Sequence, residues 1–380
     1  MITVLFVSPS RGLSGDTLSL GDMIAALGDQ IKPIILLTEK DTPAYYFFSS
    51  RGIECLVHPY LNALKLPLRD NIRIVLTKPW RMLVVKRLRF DVPCVKFVIK
   101  TLSNRKIDIV HTNTAPTLIG HDLAKSLEAR HVWHVREFVD FLHVGAIPIK
   151  RLNKMINCAD ARIVVSEACR SHWFLKNEKT WTILDAVRSV KDSLFDRSKL
   201  PYILFCSNWI TEAKGAAKAI VAFGKSRVFS FSSKEYPIRL KFVGNCDEYY
   251  KEYLLELAYA YGCAGFIDFI PAQKDVKMFF VQAMAYLNCS VNEGMGRTTA
   301  EAMFYGCPIV ALASGGTLDL VKHGETGWLF NTVEECTELL KMVCQTNQEQ
   351  IILQAQEFAK QNLSNEIYGA KIMEVYKSVL

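Results

Sequence analysis

No two of the eleven cysteines stand in a C-x-x-C spacing, and none joins a cysteine–histidine cluster. That excludes the usual zinc and dithiol redox motifs. Several cysteines, among them Cys206, Cys289 and Cys307, lie inside apolar segments. Reduced, buried thiols of a cytosolic protein are expected there. No apolar run approaches the roughly 20 residues that span a bilayer. The opening MITVLFVSPSRG lacks the basic start and small-residue cleavage site of a secretory signal, so it reads as a β-strand and a turn. G-x-G-x-x-G is missing, which disfavours dinucleotide binding. Neither an internal repeat nor a low-complexity segment is present.

What is present is a globular composition, 50% apolar and 22% charged, over 380 residues. That length suits two domains better than one core. Short apolar strands are predicted at 4–7, 33–37, 107–111, 132–134 and 161–166. A helix over 18–27 carries Leu20, Met23, Ile24 and Leu27 at helical spacing. The apolar pattern breaks at 183–200, where Asp185, Lys191, Asp192, Asp196 and Arg197 interrupt it. It then restarts, with strands at 202–206, 238–243, 265–270, 286–289 and 308–312 and helices at 216–224, 249–261, 276–285 and 300–305. Strands that are apolar throughout, alternating with helices, indicate α/β parallel sheets covered on both faces. Two such runs imply two Rossmann-like lobes, 1–185 and 186–363. A closing amphipathic segment, 364–380, has Ile367, Ile372, Val375, Tyr376 and Val379 as its apolar positions.

Charge is uneven. Residues 62–105 hold eleven Lys/Arg against the acids Asp70 and Asp91, within a net charge of +8 for the whole chain. Trp80, Arg81, Lys86 and Arg87 typify the mixture of cationic and apolar side chains. One reading is peripheral docking on an anionic membrane surface. The other is a solvated basic face over a packed helix. Nucleic acid is disfavoured, because no nucleic-acid fold motif accompanies the charge.

The densest signal is residues 290–330, SVNEGMGRTTAEAMFYGCPIVALASGGTLDLVKHGETGWLF. Glu293 and Glu301 stand eight positions apart. Between them lie the turn Gly294-Met295-Gly296, Arg297, and a helical start at Thr298-Thr299. Backbone amides at a helix N-terminus suit a diphosphate, and carboxylates suit sugar and ribose hydroxyls. This segment resembles the Glu-x7-Glu region of retaining glycosyltransferases of the large GT-B family 4. The likeness extends through Ser290, Glu301-Ala302-Met303, Gly306-Cys307-Pro308, Gly315-Gly316 and Gly324 to Gly327. HVWHVREF, at 131–138, is similar to the H-x-R-E-F stretch of members that build bacterial surface polysaccharides.

The resemblance implies a GT-B fold, two Rossmann-like lobes facing across a cleft, with the closing helix crossing back to the first lobe. It implies that Lys214, ahead of Gly215, neutralises the donor diphosphate, and that Glu301 accepts hydrogen bonds from the ribose. Glu293 would hold a sugar hydroxyl or stabilise oxocarbenium-like charge. Ser14-Gly15 aligns with a glycine pair placed against the donor phosphate, with serine in the first place. Family members usually carry an arginine where Asn208 stands, so one cation is missing. Arg297 either supplies that charge, or is solvated or paired with a nearby acid.

His134 is the candidate to touch the donor sugar or the attacking hydroxyl. His111, Asn113, Arg136 and Glu137 lie at or beyond predicted strand ends, on the acceptor side, although Arg136 and Glu137 could equally pair with each other.

The implied activity is transfer of a sugar, with retained anomeric configuration, from a nucleotide-diphosphate donor to a hydroxyl. The acceptor expected is a lipid-linked saccharide of bacterial surface polysaccharide assembly, such as capsule or O-antigen, at the inner face of the cell membrane. No cofactor and no metal are expected, the nucleotide-sugar being a substrate. Two alternatives stand beside this. One is a catalytically weak nucleotide-sugar-binding partner or regulator of the same fold, suggested by Asn208. The other is a nucleotide-sugar epimerase on that fold.

Overall fold

The computed structural model describes residues 1–61, 87–138, 149–231 and 235–380. Within them the chain forms two compact units. One is Met1–Asp185 with Tyr368–Leu380, and the other is Ala186–Ile367.

The first unit is built on seven parallel strands, β1 (Ile2–Val7), β2 (Ile31–Leu37), β3 (Glu54–Val57), β4 (Ile109–Thr112), β5 (Arg130–Val135), β6 (Ala161–Val164) and β7 (Thr180–Thr182). Their order is β3-β2-β1-β4-β5-β6-β7. Val4 to Val7, Ile34 to Leu37 and Ile109 to Val110 are all fully or almost fully buried. That is why these strands are apolar at consecutive positions rather than alternate ones. The order reverses direction at β1 and β4, and ligands of open α/β sheets bind beyond the carboxyl ends of such strands.

The second unit repeats the plan with six strands, β8 (Leu200–Ile210), β9 (Arg239–Cys246), β10 (Ile267–Ile270), β11 (Ala283–Asn288), β12 (Ile309–Leu312) and β13 (Trp328–Phe330). Their order is β10-β9-β8-β11-β12-β13, all parallel. Phe205, Phe223, Phe242 and Leu287 pack in one core between the sheet and its helices. Here the order reverses at β8 and β11.

Some element ends differ from those predicted. The helix expected over 276–285 stops at Gln282, and the chain turns straight into β11. β8 runs past Cys206 to Ile210, with a shift in its register against β9 between Cys206 and Trp209. Asn208 therefore lies within a strand, and it is exposed. Ile367, assigned to the buried face of the last helix, is exposed.

That last helix, Asn365–Val379, belongs to the first unit from Tyr368 onward. Its Tyr368, Ile372, Val375 and Tyr376 are buried. Gly369 lets it approach the Gly15–Leu27 helix closely, for a Cβ there would lie 2.5 Å from the Ala26 carbonyl oxygen. Backbone cannot yield as a flexible side chain can, so Gly369→Ala is expected to cost about 1–3 kcal/mol. Thermal denaturation would register a lowered midpoint, and an unchanged midpoint would show that the contact is not made.

Candidate functional site

At the reversal point of the second unit, two turns leave the sheet side by side. After β8, the single turn Glu212–Lys214 leads through Gly215 into the Ala216–Ser226 helix. After β11, residues 290–296 form the glycine-containing loop that leads into the Arg297–Phe304 helix. The Val291 N–H donates to the Ala213 carbonyl at 3.3 Å, which ties the two turns together. Lys214 Nζ then meets Glu293 Oε2 at 2.7 Å. Both side chains are partly exposed, so the pair is screened by solvent and adds little to stability. Its interest is chemical, since it sets an ammonium and a carboxylate side by side at the end of the sheet.

The loop owes its shape to a backbone contact. The Gly316 N–H donates to the Glu293 carbonyl at 2.8 Å. A Cβ on Gly316 would fall 2.1 Å from the Gly294 oxygen, so only glycine allows this approach. Met295 is buried, while Gly296, at φ 100°, caps the helix in a conformation that favours glycine. Three hydrogen bonds pin the helix start to the loop and β11. Tyr286 bonds Thr298 at 2.6 Å, Asn288 Nδ2 donates to Thr299 at 3.0 Å, and the Ser290 N–H donates to Asn288 at 2.9 Å. The first turn carries no acidic residue, so its amide dipoles are not opposed by a carboxylate on that turn.

Glu301 lies further along this helix and is nearly buried. Its cation is Arg188, whose Nη2 is 2.8 Å from Glu301 Oε1. Arg188 Nε also donates to the Tyr305 hydroxyl, and the guanidinium stands 5.5 Å from that ring's centre. Arg297, considered from the sequence as a replacement cation, donates through Nη1 to the Ala186 carbonyl at 3.1 Å. Sequence reasoning missed Arg188 because it sits in the broken segment between the units, far from the glutamates in sequence.

The first-unit candidates also converge. Asn113 Nδ2 donates to the Asp16 carbonyl at 3.2 Å, beside Gly15 at the start of its helix. The hydroxyls of Ser10 and Ser14 donate to the Asp16 carboxylate. Arg136 is buried and donates to Asn113 Oδ1 at 2.9 Å, to Asp185, and to His134 Nδ1 at 3.2 Å. An arginine only donates, so His134 Nδ1 accepts and its proton sits on Nε2. His111 Nε2, 3.3 Å from His134 Nδ1, is then the donor of that pair. Tyr376 completes the chain at 2.8 Å from His111 Nδ1.

Burial and the Arg136 charge hold both histidines well below their ordinary value, so they are neutral at pH 7. His134 Nε2 is buried with no hydrogen-bond partner among the described residues, the nearest carboxylate being Asp185 at 3.9 Å.

Arg136 and Glu137 do not pair side chain to side chain. Glu137 instead accepts the backbone N–H of Ala115 at 3.0 Å and of Arg136 at 2.9 Å. Of the basic stretch, Trp80, Arg81 and Lys86 lie outside the described residues. Arg87, expected on the acceptor or membrane side, pairs with the carboxylates of Asp91, at 3.1 Å, and Asp122.

Burial and neighbouring Asp16 push the Glu137 carboxyl up to about 8, against its two backbone donors. The unfolded chain releases this proton near 4.5, so the unfolded state binds fewer protons between about 4.5 and 8. Stability from this group is therefore expected to fall as pH rises through that window and to level off above it. Denaturant titrations of wild type and Glu137→Gln across pH 5–9 would show the slope in the first and not in the second. Equal slopes would place the carboxyl in its ordinary range.

Residues 190–358 match the family model described as "Glycosyl transferases group 1". An uncharacterized glycosyltransferase of Haemophilus influenzae is 35% identical over 159 residues, 40% of this chain and 43% of that protein. The chain thus spans under half the length of the curated relatives it matches. Among solved structures, Anabaena Alr3699/HepE in complex with UDP and glucose aligns over 100% of both chains, with a TM-score of 0.78 and 18% identity. The lipopolysaccharide outer core galactosyltransferase WaaB does so with a TM-score of 0.72 and 15% identity. The second unit is thus similar to group 1 glycosyltransferase domains, and the chain has the GT-B fold.

Proposed function

We propose that the chain is a retaining glycosyltransferase of family 4, which transfers a sugar from a nucleotide-diphosphate donor to a hydroxyl of a lipid-linked saccharide in bacterial surface polysaccharide assembly. One observation carries the reading. Lys214, Glu293 and the glycine turn gather beyond the carboxyl ends of β8 and β11, where an open α/β sheet binds its ligand, and Glu301 lies on the helix that the turn opens. The UDP and glucose in the Anabaena structure support a nucleotide-sugar donor.

On this reading the diphosphate lies against Lys214 and the amides at Gly296 and Arg297, which take up charge as the donor's C1–O bond breaks. Glu301 receives the ribose, and Glu293 receives a sugar hydroxyl or stabilises positive charge at C1. The acceptor oxygen bonds to C1 on the face the diphosphate leaves, and its proton passes to a leaving phosphate oxygen. His134 lies on the acceptor side, held neutral and oriented by Arg136.

The basic segment docks the enzyme on the inner face of the membrane. Its described part exposes Leu88, Arg89, Val92, Lys96, Ile99 and Lys100 at helix-like spacing on one face. Among the described residues no helix is long and apolar enough to cross a membrane.

A donor screen tests the activity. Protein is incubated with membrane lipid extract and UDP-, GDP- and other nucleotide-sugars, and sugar-bearing lipid is followed by mass spectrometry. Transfer by wild type is expected to fall at least about a hundredfold in Lys214→Ala and Glu301→Ala. Nucleotide binding without transfer for any donor would favour the regulator reading suggested by Asn208, and donor conversion without an acceptor would favour the epimerase. Flotation with phosphatidylglycerol vesicles tests docking. Binding is expected to fall with added salt and in Lys96→Glu/Lys100→Glu, and indifference to both would remove the membrane from the account.

A further inference from the structure

We propose that Arg188 is a positioning residue of the donor site, setting the Glu301 carboxylate for the two hydroxyls of the nucleotide's ribose. The proposal rests on the donor reading of Glu301. A nearly buried carboxylate needs a partner, and its choice of partner fixes its plane. Arg188 holds Glu301 Oε1 at 2.8 Å. A carboxylate accepts about four hydrogen bonds, so one held oxygen leaves capacity for a vicinal diol.

The guanidinium is itself held on several sides. Its Nη1 donates to the Val187 carbonyl at 2.6 Å, its Nε donates to the Tyr305 hydroxyl, and its Cζ lies 5.5 Å from the centre of the Tyr305 ring. Tyr305 follows the Arg297–Phe304 helix that bears Glu301, so carboxylate and cation are braced from the same place. The backbone of Arg188 is fixed as well. Its carbonyl accepts the Asn365 N–H at 3.0 Å, and it bridges to Ser364.

These contacts lie on the two stretches of chain nearest the unit boundaries at Asp185–Ala186 and Ile367–Tyr368. The same helix reaches the first of them again through Arg297 and Ala186. Nucleotide bound at Glu301 would therefore steady residues 186–189 and 363–366 through Arg188, whatever sugar it carries.

Calorimetry with UDP, GDP and ADP, and with the 2′,3′-dideoxy form of whichever binds, tests this. Wild type is expected to prefer the ribose form, and Glu301→Gln to lose that preference. Arg188→Gln is expected to weaken binding of the ribose form about tenfold, to bind both forms alike, and to add nothing when combined with Glu301→Gln. Arg188→Lys should recover part of the preference. In turnover, donor KM should rise while kcat changes little. Hydrogen exchange at 186–189 and 363–366 should slow on nucleotide binding in wild type and not in Arg188→Gln.

If Glu301→Gln loses the preference while Arg188→Gln keeps it, the inference is overturned and the donor reading stands. If Glu301→Gln keeps it, the donor reading itself is wrong. Should Arg188→Gln fail to fold, Tyr305→Phe, which removes the hydroxyl bracing Nε, must reduce the preference two- to threefold by the same argument, and an undiminished preference there overturns the proposal.

Discussion

A buried charge must be paired, and in the first unit that constraint falls on Arg136. Its guanidinium sits at the end of β5 with almost no access to water. Burial works against the charge, but Asp185 and Tyr368 outweigh it and keep the group ionised. Asn113 beyond β4, His134 on β5, Asp185 at the end of the unit's main segment and Tyr368 at the start of its returning helix all meet this side chain. Tyr368 also donates to Asp185 at 3.0 Å. Removing the guanidinium would take the cation from a buried ion pair with Asp185, a defect worth about 3–5 kcal/mol. Sheet ends, strand-end side chains and the return of the chain thus share one electrostatic requirement.

The second unit solves a different problem with backbone. The loop before the Arg297–Phe304 helix comes close to its neighbouring backbone, and a side chain there would prevent it. Gly316 against Gly294 provides the approach, and the Glu293 carbonyl is occupied by the Gly316 N–H. The charged side chains are then added at the margins of a rigid frame, Lys214 on one turn and Glu301 on the helix. This division separates what fixes the loop from what would touch a ligand, so Lys214 and Glu293 stay partly exposed while Gly296 and Gly316 are buried.

Much of this was legible in the sequence, for reasons that differ by element. The central strands β1, β4, β8, β11 and β12 are covered on both faces, and their unbroken apolar runs announced them. The strands that passed unread, β3, β7 and β13, stand at sheet edges and run three or four residues. Each of these three pairs on one side only and is too short to show a pattern, whereas β10, also at an edge, was legible. The glycine turns around Glu293 were legible because their spacing has a local cause. Arg188 and the links of Tyr368 and Tyr376 were not, since each joins residues more than 100 positions apart. No local propensity encodes such a pairing. Arg297 illustrates the limit from the other side, a cation near the right turn whose Nη1 is committed to a main-chain carbonyl.

Asn208 gains its meaning from Lys214. With a neutral side chain on the exposed end of β8, Lys214 is the cation beside the glycine turn that the donor reading assigns to the diphosphate, and its ammonium is bonded to Glu293. On that reading one ammonium cannot serve carboxylate and diphosphate equally well. A diphosphate carries more charge and more acceptor oxygens than a carboxylate, so it would draw Lys214 toward itself and release Glu293. The released carboxylate would then be available to a sugar hydroxyl only once a donor is in place. On that reading the neutral side chain of Asn208 would leave Lys214 to couple the two recognitions. On the donor reading, phosphate recognition by Lys214 and sugar recognition by Glu293 would be two ends of one exchanged ion pair, so that altering either would change the other.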